Sequence, residues 1–254
     1  VSNFLKSKYV LSCSSGTAAL HLALKAISLK KGDVVLMPSV NFIAAYSMCN
    51  LSGAKIFLTD VDPFTGQMRP KDLLDCINKN KIKRIKAVFL MYLGGYPENV
   101  IEFNKIRKNK KFYLIEDACH AFGASYKYNN LHHLVGSAKH CDISLFSLHP
   151  VKTFTTGEGG LISTNNKKFR NRIECYRSHG ILRNKKFYWK YDIKELGFNY
   201  RLSDINCALG ISQLKKIKKF LNKRKKIYNH YVEKLNELDV DISLNKYSSS
   251  NNPS

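Results

Sequence analysis

Three short segments of this chain hold residues whose types and spacing could do chemistry. In SSGTAAL (14–20), a Ser-Ser-Gly-Thr run leads straight into a helical pattern. Gly16 lets backbone approach a ligand closely. The free N–H groups of a first helical turn and the Thr17 hydroxyl suit an anion. The same residues also make an ordinary helix cap, the more common use of Ser-Gly-Thr alone. In LIEDACHAFGA (114–124), Glu116 and Asp117 close an apolar run. A carboxylate there can pair with a cationic ring nitrogen, or it can be a cap or a surface acid. In SLFSLHPVKTFTTGEGG (144–160), Ser147, His149, Pro150 and Lys152 follow another apolar run, and Gly157, Gly159 and Gly160 come after them. Lysine forms Schiff bases, most readily when its surroundings lower its pKa. The chain has 33 lysines, so composition does not single out this one.

These segments need elements to position them. VVLMP (34–38), KIFLTDV (55–61), IKAVFLMYL (85–93), KFYLIED (111–117), DISLFSL (142–148) and GGLISTN (159–165) read as strands, with a short apolar lead at 9–11. Several are continuously apolar, as strands covered on both faces are. Helical spacing lies between them at 17–27, 43–53, 71–77 and 100–108, with Pro70 and Asn99 as start signals. The alternation predicts an α/β fold with a mostly parallel sheet flanked by helices. In such sheets ligands sit at the carboxyl ends of strands, where the acid and the lysine loop fall. After 166 a helix is expected at 167–179, then an irregular stretch to Tyr200. A long helix then starts near Asp204 with Ser203 as its cap and the weak helix former Gly210 inside it. The chain therefore divides into an α/β unit, 1–200, and a segment, 201–254, whose helix leads toward an incomplete second unit.

Composition narrows the class. Of 254 residues, 44% are hydrophobic and 24% charged, which excludes a disordered or fibrous chain. No apolar run approaches the ~20 residues of a membrane-spanning helix. The start lacks the pattern of a secretory signal and an initiator Met, so a cytoplasmic chain cut at its N-terminus is expected, with a frayed, cut C-terminus. Seven scattered cysteines without a C-x-x-C fit reduced, buried thiols and no metal site. The net charge of +23 rests on 33 Lys against 9 Arg. Nucleic-acid readers favour Arg, so the basic run 215–226 reads as a solvated helix face. No nucleic acid and no membrane partner are expected, although a basic nucleic-acid-binding protein on a dead fold stays open as a rival. Such a field also attracts anionic small substrates.

A phosphate cradle, a ring-nitrogen carboxylate and a Schiff-base lysine, in that order along one α/β chain, are the three grips on pyridoxal 5′-phosphate. SSGTAALHLAL (14–24), EDACHAFGA (116–124), SLHPVKTFTTGEGG (147–160) and GFNYRLSDINCALGISQL (197–214) carry a resemblance to the DegT/StrS-type sugar-nucleotide aminotransferases. The resemblance runs from about 4 to 235 and implies the large domain of a fold-type-I pyridoxal-phosphate aminotransferase. The family's N-terminal segment and its C-terminal small domain are expected to be missing. By resemblance, Lys152 is the Schiff-base lysine and Asp117 pairs with the pyridine nitrogen. Gly16, Thr17 and Ser147 hold the phosphate, His120 lies beside the 3′-oxygen, Phe42 stacks on the ring, and Asn199 reaches the phosphate of a partner subunit in a homodimer with shared sites. Lys at 152, where the related sugar dehydratases carry His, argues for amino transfer. CYRSHGI (175–181) and ELGFNYRLSD (195–204) most resemble the branch that aminates C4 of a UDP-linked 4-keto-6-deoxy-N-acetylhexosamine, a pseudaminic acid precursor, with L-glutamate as donor. A transaminase for a GDP- or dTDP-linked keto sugar is the alternative.

Overall fold

Seven five-residue strands build one sheet, and helices lie between successive strands along the chain. The computed structural model describes residues 1–183, 186, 187, 189–238 and 251–254. A short α1 (Ser2–Leu5) precedes β1 (Tyr9–Cys13). Then come α2 (Gly16–Ala26), β2 (Val34–Pro38), α3 (Ile43–Leu51), β3 (Lys55–Thr59), α4 (Pro70–Lys79), β4 (Ala87–Met91), α5 (Val100–Lys110) and β5 (Tyr113–Asp117). A hairpin of β6 (Ser125–Tyr128) and β7 (Leu131–Leu134) intervenes before β8 (Ile143–Ser147) and β9 (Gly160–Thr164). The rest is α6 (Lys167–Arg177), a second hairpin of β10 (Ile181–Arg183) and β11 (Tyr191–Ile193), α7 (Asp204–Lys215), α8 (Ile217–Asn236) and β12 (Asn251–Asn252).

The sheet order is β1-β9-β8-β5-β4-β2-β3. β9 runs antiparallel to both β1 and β8, while β8, β5, β4, β2 and β3 pair in parallel. Six strands thus point their carboxyl ends to one edge. Every residue of β4 is buried, as expected of a central strand covered on both faces. Alternation sends Leu114 into one apolar core with Leu90 and Phe146, and Ile115 into the other with Phe89 and Leu145. Helix α2 fills the second core with seven buried apolar residues and packs on β8, β9, α3 and α6.

Side-chain caps start three of the eight α-helices among the described residues. Ser15 Oγ accepts from Ala18 N–H at 3.0 Å, Asn166 Oδ1 from Lys168 N–H at 2.8 Å, and Ser203 Oγ from Asn206 N–H at 3.2 Å. Asn99 precedes α5 as expected but makes no side-chain cap, because its backbone is left-handed (φ 56°). The single long helix expected from 204 is two helices that meet at Lys216. Gly210 does not break it. A Cβ there would stand 2.7 Å from Thr156 Cγ2, so glycine is what lets α7 approach the 148–159 loop. The stretch expected to be irregular before Tyr200 contains the β10–β11 pair. The C-terminal end, expected to fray, pairs β12 with β6. Positions 184, 185 and 188 of the first stretch, and 239–250 of the second, lie outside the described residues. No helix among the described residues is long and apolar enough to cross a membrane.

Candidate active site

Glu116 and Asp117 are neighbours on β5, so they face opposite sides of the sheet. Glu116 is buried on the side away from α2. Its carboxyl accepts from the Tyr92 hydroxyl at 2.8 Å and from the Ser144 hydroxyl. Burial pushes its pKa up, against the pull of those two hydroxyls. The group knots β5 to β8 and to the residue that follows β4. It is therefore structural. Glu116→Ala leaves two buried hydroxyls without their acceptor and should cost at least ~2 kcal/mol in urea unfolding. Glu116→Gln, which keeps a carbonyl oxygen, should cost less. Equal midpoints for both variants and the wild type would remove the knot.

Asp117 lies on the α2 side, 3% exposed. Its Oδ1 accepts from Cys119 N–H at 3.2 Å. Burial raises its pKa, and Cys119 and the Lys152 charge pull it back. Among the described residues, no Lys, Arg or His nitrogen comes within 4 Å of this carboxylate. A buried acid without an ion-pair partner fits a cationic ring nitrogen that the protein itself does not supply.

Lys152 occupies a turn in the 148–159 loop, where its N–H donates to His149 O at 2.9 Å. Its charge acts on Asp117, Cys119 and His120. His120, half-buried, has its pKa lowered first by burial and then by Lys152. Ser147 ends β8 on the same side as Asp117, and Gly16 opens α2 against it. A Cβ on Gly16 would lie 3.0 Å from Ser147 Cβ, so the glycine lets this helix N-terminus approach Ser147 closely. Thr17 is exposed beside it. The free N–H groups of this first turn, with the Thr17 and Ser147 hydroxyls beside them, suit a phosphate.

The structure therefore brings Gly16, Thr17, Asp117, His120, Ser147 and Lys152 to one edge. Phe42 caps α3 after β2 on that edge and is 69% exposed. Asn199 is exposed and bridges Ser178 beyond α6. Its neighbour Tyr200 accepts from Ser14 N–H at 2.9 Å, and its hydroxyl meets His21 Nδ1 at 3.1 Å, so this segment is anchored beside the cradle. Sequence reasoning missed Asn206 and Arg224, which bind the lysine loop from α7 and α8. Asn206 Nδ2 donates to Thr156 O, and Arg224 Nη2 donates to Lys152 O. Both sit in ordinary helical patterns with no local signal.

A lysine, a buried acid and an anion cradle at the carboxyl edge of a mostly parallel sheet define a pyridoxal-phosphate-binding α/β fold. The chain belongs to the DegT/DnrJ/EryC1/StrS aminotransferase family, whose profile it matches over residues 1–252. Aminotransferases of this family depend on pyridoxal 5′-phosphate. The chain is 38% identical over 246 residues to the UDP-4-amino-4,6-dideoxy-N-acetyl-beta-L-altrosamine transaminase of Campylobacter jejuni subsp. jejuni, covering 97% of this chain and 61% of that protein. It is 33% identical to the GDP-perosamine synthase of Escherichia coli O157:H7, over 91% of this chain and 60% of that protein. The solved structure of Helicobacter pylori PseC, an aminotransferase involved in the biosynthesis of pseudoaminic acid, matches with a TM-score of 0.78 at 28% identity. That match covers 89% of this chain and 58% of PseC. The chain thus spans about three fifths of the length of the curated relatives it matches.

Proposed function

We propose that the whole protein is an aminotransferase that moves an amino group from L-glutamate to C4 of a UDP-linked 4-keto-6-deoxy-N-acetylhexosamine, a pseudaminic acid precursor. The observation that carries the reading is Asp117, a fully buried acid near a lysine charge, at the edge where the N-terminus of α2 packs against Ser147. When bound, pyridoxal phosphate supplies an aldehyde that captures the donor's amine and a ring that takes up an electron pair. Gly16, Thr17 and Ser147 would hold the phosphate, Phe42 would cover the ring and His120 would lie beside its 3′-oxygen. Asp117 would keep a proton on the ring nitrogen. Lys152 would hold the aldehyde, and its Nζ would accept and return a proton during transfer. The identity to the Campylobacter transaminase supports the UDP-sugar substrate. The GDP-perosamine synthase relative supports a second reading, a GDP-linked keto sugar. Incubation with L-glutamate and each keto sugar, followed by mass spectrometry of the product, decides between them. No aminated sugar from any of them would overturn the activity.

The active unit in this reading is a cytoplasmic homodimer with shared sites. All seven cysteines are free, in keeping with a reducing compartment. Helix α7 buries none of its side chains, and Leu196, Ile205 and Ile211 lie open around it. That apolar surface supports an isologous contact, across which Asn199 reaches the partner's phosphate. The expected result is complementation. Inactive Lys152→Ala chains mixed with impaired Asn199→Ala chains give heterodimers in which one site has both defects and the other has none. Activity then rises above both parents. If mixing, with subunit exchange verified, gives only the average of the parents, Asn199 serves its own site or is a local turn residue.

A further inference from the structure

We infer that Arg224 of α8 is a positioning residue for Lys152; the inference rests on reading Lys152 as the cofactor-binding lysine. The 148–159 loop has no helix or strand ladder to hold it. Its stem is fixed by Leu148 N–H to Gly159 O at 2.8 Å, Thr156 N–H to Leu148 O at 3.0 Å and the Thr155 hydroxyl to Leu148 O at 2.7 Å. Phe154 is buried edge-on against Phe122. At the tip, Lys152 N–H and Val151 N–H turn back only onto His149. Arg224 Nη2 ties that tip to the rest of the molecule, donating to Lys152 O at 2.9 Å and to Val151 O at 3.3 Å.

The same helix also touches the acid's segment. Gly123, six residues beyond Asp117, faces Leu221, whose Cδ1 would lie 2.8 Å from a Cβ placed there. Leu221 and Arg224 are three residues apart and share a helix face. Ile217, one turn earlier, is buried in the core. Helix α8 therefore sets the backbone of Lys152 relative to the Asp117–Gly123 segment, with Leu221 on one and Arg224 on the other. A charged donor shared by two carbonyls is a firm hold on an otherwise free turn. A basic run on a solvated face explains the surface lysines of α8 but not this contact.

The test uses Arg224→Ala and Arg224→Lys in the purified protein. Arg224→Ala should speed hydrogen exchange at the Lys152 and Thr156 amides in the cofactor-free protein, while the thermal midpoint stays the same. In the loaded enzyme it should lower kcat about tenfold, or ~1.4 kcal/mol, with KM for L-glutamate nearly unchanged. Arg224→Lys should recover part of both losses, because its ammonium still donates on a shorter stem. Borohydride trapping in the wild type separates the two readings. Trapping at Lys152 with exchange and kcat unchanged in Arg224→Ala overturns the positioning role alone. Trapping at another lysine overturns the functional reading and this inference together.

Discussion

Lys152→Ala should yield a folded protein with no measurable amino transfer. The loss combines the covalent hold on the aldehyde with the proton carried at Nζ, and proton transfer alone is worth roughly 10²–10⁴-fold. The variant should stay folded because the turn at 152 is built from backbone, with its N–H on His149 O and its carbonyl on Arg224. The wild type loaded with pyridoxal phosphate should show a visible absorption band that Lys152→Ala lacks. Borohydride should fix the cofactor on the peptide containing residue 152. The other lysines are the competing readings, and label recovered on one of them would end the assignment. Residual turnover within tenfold of wild type would do the same.

The strands were legible because each is dominated by apolar residues, β2 and β4 without a break. Each observed strand of the sheet ends within two residues of its expected bounds. The β6–β7 hairpin was not read, since SYKYNNLHHL mixes polar and aromatic residues without an apolar run. A signal was there: Asn129 and Asn130 both have positive φ, 48° and 59°, as a two-residue hairpin turn requires. The break at Lys216 has no proline or glycine to mark it, whereas Gly210, which drew suspicion, sits where Thr156 packs. In the site, residue types left Glu116 and Asp117 equivalent. Strand alternation separates them, giving one to a hydroxyl knot and leaving the other without a cation. The cradle needs Gly16 against Ser147, far apart in the chain, so only the folded sheet joins them. Arg224 was hidden inside the basic run 215–226, where its neighbours are solvated lysines and nothing local distinguishes it.

Asp117→Asn should produce two changes of opposite sign. Activity should fall by about thirtyfold to several thousandfold, because truncating one partner of a buried charge pair costs ~2–5 kcal/mol and each ~1.4 kcal/mol is tenfold. An amide cannot hold a proton on the ring nitrogen, so the electron sink weakens while the phosphate grip at Gly16 and Ser147 remains. Stability of the cofactor-free protein should move the other way. Burial raises the Asp117 pKa, so the folded chain holds this proton to higher pH than the unfolded chain does. The ionised acid therefore lowers stability as pH rises from the ordinary value of about 3.9, and the cost is fully present above the raised value. Asn removes that cost. At neutral pH the cofactor-free variant should melt above the cofactor-free wild type, and the difference should shrink as pH falls toward the ordinary carboxylate range. With pyridoxal phosphate bound, the wild type regains its advantage, because the ring nitrogen then gives Asp117 the cation its pocket lacks. Thermal melts of both proteins, with and without cofactor, across that pH range test the pair of signs. Activity within a few-fold of wild type, together with no gain in the cofactor-free melt, would reduce Asp117 to an acceptor for the Cys119 N–H.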